Sequence, residues 1–109
     1  MAACDSHFTY EEIRAYEHIG AQVLEASVIP SEEYGEPLTF RDLVLYRSIV
    51  ACTTLPVIVP TQRFIEPKDV KHLFAAGVRG IMIGAIVTGK TMDGIVNAVH
   101  AFRKAIDEL

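Results

Sequence analysis

The chain has 109 residues, half of them apolar, and a formal net charge of −4 at pH 7. That is one domain with enough apolar mass for a core, yet too short for a closed eight-stranded barrel, which takes about 250 residues. The sequence has no basic run interleaved with aromatics, no uncharged apolar run of the ~18 residues a membrane span needs, and no basic-then-apolar leader at Met1-Ala2-Ala3-Cys4-Asp5, so nucleic acid, bilayer and secretion are poor expectations and a cytosolic protein is the reading.

Residues 1–4 can form the end of a strand. Thr9-Tyr10-Glu11-Glu12 is a capping box, and Ile13, Tyr16 and Ile19 follow at helical spacing until Gly20, a natural left-handed stop. The spacing predicts a helix over residues 10–19. Residues 22–29 are short, rich in β-branched side chains, partly alternating and ended by Pro30, which predicts a strand. The acidic stretch 31–37 carries Gly35 and Pro37 and reads as a loop, longer than its neighbours and so a candidate functional segment.

Thr39-Phe40-Arg41-Asp42 is a second cap, and Leu43, Val44, Tyr46, Ile49 and Val50 supply an apolar face through about residue 51. Leu55-Pro56-Val57-Ile58-Val59-Pro60 is nearly continuous in apolar residues, the pattern of a strand buried on both faces. Pro67 suits the first turn of the next helix, whose stripe is Val70, Leu73 and Phe74 and whose end is Gly77. Residues 80–87 read as another buried strand. After Thr88-Gly89-Lys90 a long amphipathic helix over about 92–107 shows Ile95, Val96, Val99, Phe102 and Ile106 as its buried face.

Strands alternating with helices across short connections imply a parallel α/β sheet with right-handed crossovers and a ligand beyond the carboxyl ends of the strands. Two architectures satisfy this: half of a TIM-type barrel, or a flavodoxin-like layer with helices on both faces. The segments Pro56-Val57-Ile58-Val59, Glu66-Pro67-Lys68-Asp69-Val70, Ala75-Ala76-Gly77-Val78 and Gly80-Ile81-Met82-Ile83-Gly84-Ala85-Ile86-Val87 together resemble the seventh and eighth β-α units of phosphate-binding barrels. Indole-glycerol-phosphate synthase, the tryptophan synthase α chain, thiamine-phosphate synthase and FMN-dependent oxidoreductases are among them. The resemblance covers about half the chain. It implies a phosphate site at Gly84, Ala85 and Ile86, where backbone amides and a helix amino end face the anion. The loop after the preceding strand departs from that pattern: it holds Thr61-Gln62-Arg63 where those families carry glycines, so Arg63 becomes a side-chain clamp candidate. The resemblance admits FMN as a cofactor, and the sequence fixes none.

Gly84-Ala85-Ile86-Val87-Thr88-Gly89-Lys90-Thr91 also satisfies the P-loop expression G-x-x-x-x-G-K-[ST]. It lies on the last strand, with no later strand to bring a magnesium-binding acid, and residues 85–87 read as continued strand rather than a glycine-rich cradle. Nucleotide binding is thus a minor alternative, with Lys90 an auxiliary anion contact. The competing account of Gly84 is tight strand–helix packing.

Glu25 shares a strand face with Ser27 near a carboxyl end, the position of an acid–base residue in a barrel, and Asp5 and His7 follow the first short strand in a similar place. A paired or exposed Glu25 and an ordinary polar loop at 5–7 are the plainer accounts. His18, His72 and His100 fall on helices. Cys4 and Cys52 have no metal-ligand spacing and read as reduced thiols. No metal site, nucleophile elbow or Cys/His dyad is visible. The expectation is a half-barrel that binds a small phosphorylated ligand, as a lyase or isomerase if it is an enzyme. A parallel sheet with open edges would pair with a second copy, as a homodimer, or belong to a truncated barrel. The alternative from another class is a non-catalytic half-barrel that only assembles.

Overall fold

The computed structural model describes residues 1–109. Four short strands, β1 (Ala2–Cys4), β2 (Leu24–Ala26), β3 (Val57–Pro60) and β4 (Gly80–Met82), form one sheet in the order β1-β2-β3-β4, and every pairing is parallel. Between and after them run α1 (Tyr10–His18), α2 (Phe40–Ala51), α3 (Val70–Ala75), α4 (Ala85–Thr88) and α5 (Met92–Asp107), with single 3₁₀ turns at Ser31–Glu33 and Pro67–Asp69.

The strand order decides between the two expected architectures. Right-handed crossovers that always step to the next strand in the same direction put every helix on one face. A flavodoxin-like layer needs the order to reverse so that helices cover both faces. Here it never reverses, so the fold is a half-barrel.

Burial agrees. Cys4, Leu24, Ala26, Val57 and Val59 are buried and pack with Ile13, Tyr46, Ile49, Leu73 and Phe102 from the helices. Fully burying one such side chain contributes about 1.5–3 kcal/mol. The alternate positions are more open: Ala3 is exposed and Glu25 and Ile58 are half-buried, and they stand side by side in the register Ala3–Glu25–Ile58–Gly80. The apolar run at β3 therefore has one face covered by helices and leaves Ile58 on the more open face.

Local signals largely hold. Thr9 caps α1 by accepting from the Glu12 amide at 3.1 Å, though the reciprocal half of that box is not made. Thr39 and Asp42 make both halves of theirs, at 3.1 and 2.9 Å. Gly77 ends α3 with φ at +98°, and a Cβ there would meet Val50 Cγ1 at 2.7 Å, so conformation and space both demand glycine.

Three expectations are corrected. Residues 85–87 turn into α4 instead of continuing β4. Ile19, placed on the buried face of α1, is 81% exposed because it lies past the last helical residue. On α5 only Phe102 is buried; Ile95, Val96, Val99 and Ile106 stay 38–51% exposed, because α5 meets the sheet and α3 along a narrower line than its apolar stripe. No helix is long and apolar enough to cross a membrane.

Candidate functional site

The carboxyl ends of β3 and β4 are joined by polar groups. The Thr61 amide donates to the Met82 carbonyl at 3.0 Å, extending the ladder past both strands. The Gly84 amide donates to Thr61 Oγ1 at 2.8 Å. Gly84 then caps α4, and its carbonyl accepts from the amides of Val87 and Thr88 at 3.0 and 3.1 Å. The amides of Ala85 and Ile86 have no acceptor within the chain, as expected for the first residues of a helical turn.

Packing within the fold does not require glycine at 84. Its φ of −122° is open to any residue, and an added Cβ would meet only Thr61 Oγ1, at an ordinary 3.5 Å. The strand–helix packing account of this glycine finds no contact to rest on. Glycine leaves this space open, and the next two residues carry the unpaired N–H groups.

Lys90 is exposed and makes no ion pair; it sits between Gly89 and Thr91 in the link to α5. Thr91 is occupied as the α5 cap, accepting from the Gly94 amide at 3.0 Å. The P-loop expression is thus spread over a helical turn, a link and a cap. Its Val87 and Thr88 amides are spent internally on the Gly84 carbonyl.

Thr61, Gln62 and Arg63 are all buried. Gln62 Oε1 accepts from the Ile29 amide at 3.1 Å, its Nε2 donates to Tyr34 Oη at 3.0 Å, and its carbonyl accepts from the Gly35 amide at 2.9 Å. The Phe64 amide donates to the Glu36 carbonyl at 2.8 Å. The long 31–37 segment, read as a loop and a candidate functional segment, is therefore strapped to the segment after β3.

Arg63, offered above as an anion clamp, has its guanidinium turned to carboxylates of the same chain. Nη2 donates to Asp42 Oδ1 at 3.1 Å and to Glu33 Oε1 at 3.3 Å. Nε lies 2.9 Å from Asp42 Oδ2 with its N–H out of line, so that contact is ionic rather than a hydrogen bond. Burial disfavours the cation, but the bonds and charge of Asp42, then Glu33, outweigh it and raise the Arg63 pKa. Tyr46 ends beside this pair with an unbonded hydroxyl, and burial, then the Asp42 charge, push its pKa well above the phenol range.

Glu25 is half-buried on the open face, with Oε1 accepting from Ser27 Oγ at 3.0 Å. It stands on β2, two strands from β4, or roughly 10 Å across the sheet at the usual strand spacing. Asp5 is exposed and closes a local turn, its Oδ1 accepting from the His7 amide at 2.9 Å. Cys4 is buried, and its thiol is pushed up to about 11 by burial and then by Glu12, which makes it a poor nucleophile near neutrality. No group of three His, Cys, Asp or Glu side chains is placed to hold a metal ion. Among the predicted residues the structure brings Gly84, Ala85 and Ile86 together, leaves Lys90 a few residues on, and keeps Glu25 and Asp5 on the far strands. Thr61 and Asp42 were not singled out as site residues. The available signal was a polar triplet directly after a buried strand.

Two broad clefts lie away from Gly84. One, of about 440 Å³, is lined by Val28, Thr39, Arg41, Asp42 and Arg63, and the other, of about 500 Å³, runs along α2 and α3 past Phe40, Val44 and His72.

No family model matches the chain, and no curated protein does. Solved structures do. A cube-shaped, highly porous protein cage designed by fusing symmetric oligomeric domains matches 97% of this chain and 36% of its own, at 20% identity and a TM-score of 0.69. Thiamine phosphate pyrophosphorylase from Pyrococcus furiosus matches 97% of this chain and 48% of its own, at 24% identity and a TM-score of 0.66. The native KDPGal structure matches 95% of this chain and 67% of its own, at 14% identity and a TM-score of 0.54. The chain thus spans about a third and about half of the first two. At these identities the likeness is one of fold: an α/β half-barrel related to TIM barrels.

Proposed function

We propose that the carboxyl edge of β4 binds the phosphate group of a small phosphorylated molecule. The observation that carries this reading is Gly84, a glycine the fold does not need, set before the unpaired amides of Ala85 and Ile86. Two successive unpaired N–H groups at the start of a helical turn suit a phosphate oxygen, and a missing side chain lets the ligand reach the backbone. Lys90 adds an unpaired cation in the link after α4, while Arg63, two residues after Thr61, is held by Asp42 and Glu33. If chemistry occurs, Glu25, held by Ser27, is the acid–base candidate of a lyase or isomerase, with Asp5 at the end of the neighbouring strand. Thiamine phosphate pyrophosphorylase, similar in fold, handles a phosphorylated compound by name, which is compatible with this reading.

Isothermal titration with inorganic phosphate, and with FMN as a phosphate-bearing probe, tests it. Gly84→Ala should keep the melting temperature within about a degree, since its Cβ fits, and should weaken binding at least tenfold. Equal binding by Gly84→Ala, or none by the native chain, would remove the proposal.

A second reading, assembly without chemistry, is favoured by the open edges of β1 and β4 and by the exposed stripe on α5. The two readings are compatible at the phosphate site and differ over Glu25.

A further inference from the structure

The four strands carry a single charged side chain, Glu25. It is half-buried on the face without helices, in the row Ala3–Glu25–Ile58–Gly80, and Pro60 and Met82 take the next positions of that face on β3 and β4. None of these neighbours is a cation. Ser27 Oγ donates to the carboxylate at 3.0 Å, and no lysine, arginine or histidine pairs with it. The ionisable groups on the adjoining elements leave it unneutralised. Asp5, just beyond β1, is a second acid and closes its own turn with the His7 amide. Cys4 is packed in the core among the helices. Arg79, just before β4, lies over the Phe74 ring of α3, and Arg63, beyond β3, is held by Asp42 and Glu33. Lys90 lies in the link after α4. An unpaired carboxylate is tolerable on a face open to water and costly in a closed one.

The fold supplies what would close that face. The strand order steps one way, so β1 and β4 present opposite free edges of the sheet, and two copies together bring the eight strands of a closed barrel. Exposed apolar side chains flank both edges: Met1 beside β1 and Ile19 at the end of α1, Met82 on β4, and Val96 and Val99 on α5. In thiamine phosphate pyrophosphorylase the part similar to this chain is 48% of the whole, so a second unit of about the same size accompanies it there. We propose that a second copy of this chain closes the uncovered face and that Glu25 links the closure to protons. An eight-stranded barrel has an interior just wide enough for its side chains. In a twofold pairing β2 of one copy stands opposite β2 of the other, so both Glu25 side chains enter that interior, and no strand of either copy brings a cation. Two carboxylates confined together are strongly disfavoured as a doubly ionised pair; one takes up a proton and donates it to the other. The dimer therefore holds a proton that the separate chains release, and it tightens as pH falls. The inference rests on the assembly reading and adds its regulation: Glu25 restrains pairing in alkali and permits it in acid.

Sedimentation equilibrium of the native chain and of Glu25→Gln, between about pH 5 and about pH 8, tests this. One proton taken up on pairing changes the dimer Kd by about tenfold per pH unit, so the native dimer should weaken by about that much for each unit of rise. Glu25→Gln keeps the shape and removes the charge. Its dimer should be at least about tenfold tighter than the native one at the alkaline end and nearly flat with pH. A native dimer with one Kd across the range, or a Glu25→Gln dimer that keeps the native slope, would overturn the role of Glu25 and leave the assembly reading standing. Should Glu25→Gln fail to fold, the slope of the native dimer decides by itself. Monomers at every pH in both proteins would overturn this inference together with the assembly reading beneath it.

Discussion

At the scale of single residues, the most consequential side chain for stability is Asp42. It closes the capping box of α2 with Thr39 and faces the buried guanidinium of Arg63. Removing one member of a buried pair leaves the other charge uncompensated, which costs about 3–5 kcal/mol, with loss of a helix cap adding about 1. Glu33 still faces Arg63 and is half-exposed, so the lower end of that range applies. Asp42→Ala is expected to lose about 3–4 kcal/mol in urea denaturation, while Asp42→Asn, which keeps a cap acceptor, should lose about 1 kcal/mol less. Equal losses in the two variants would mean that the cap contributes nothing.

At the scale of elements, the junction of α4 and α5 shows how a short sequence motif becomes a different structure. Gly94 lies in the first turn of α5, and a Cβ there would fall on the Thr88 carbonyl oxygen. Replacing a helical glycine by alanine ordinarily gains about 1 kcal/mol. Here the obstacle is backbone, which cannot swing away as a side chain could, and overpacking of this kind costs about 1–3 kcal/mol. The clash is expected to win. Gly94→Ala should lower the melting temperature by several degrees, and a rise would show that α4 yields easily. Because α4 supplies the Ala85 and Ile86 amides, the same change should disturb phosphate binding without touching either residue.

At the scale of the whole molecule, the parallel four-stranded sheet has two bare edges, β1 and β4, and one face without helices, the features a second copy could cover. A second copy turned by a twofold about the barrel axis would join β4 of each chain to β1 of the other and keep all eight strands parallel. Ile58, Met82 and the open side of Glu25 would then lie inside. Light scattering at micromolar concentration should therefore give about twice the 12.0 kDa of one chain. A strict monomer would rule out the paired half-barrel and leave the sheet face to some other partner.

The sequence by itself determined the alternation of strands and helices and the parallel class, though not the turn of α4, because helical and alternating periods, caps at Thr9 and Thr39 and stops at Gly20 and Gly77 are local properties of the chain. It also marked Gly84, whose meaning lies in the missing side chain. What it left open was set by contacts between segments distant in sequence. Half-barrel or flavodoxin-like layer depended on which strands became neighbours. Val57 and Ile58 look alike in sequence, yet one faces helices and the other an open face. Arg63 had the chemistry of an anion clamp until folding brought Asp42, 21 positions away, against it. Thr61 gained its place only when β4 arrived beside β3 and gave its hydroxyl the Gly84 amide. Such pairings depend on register and burial, which follow from how the strands and helices pack rather than from any local pattern.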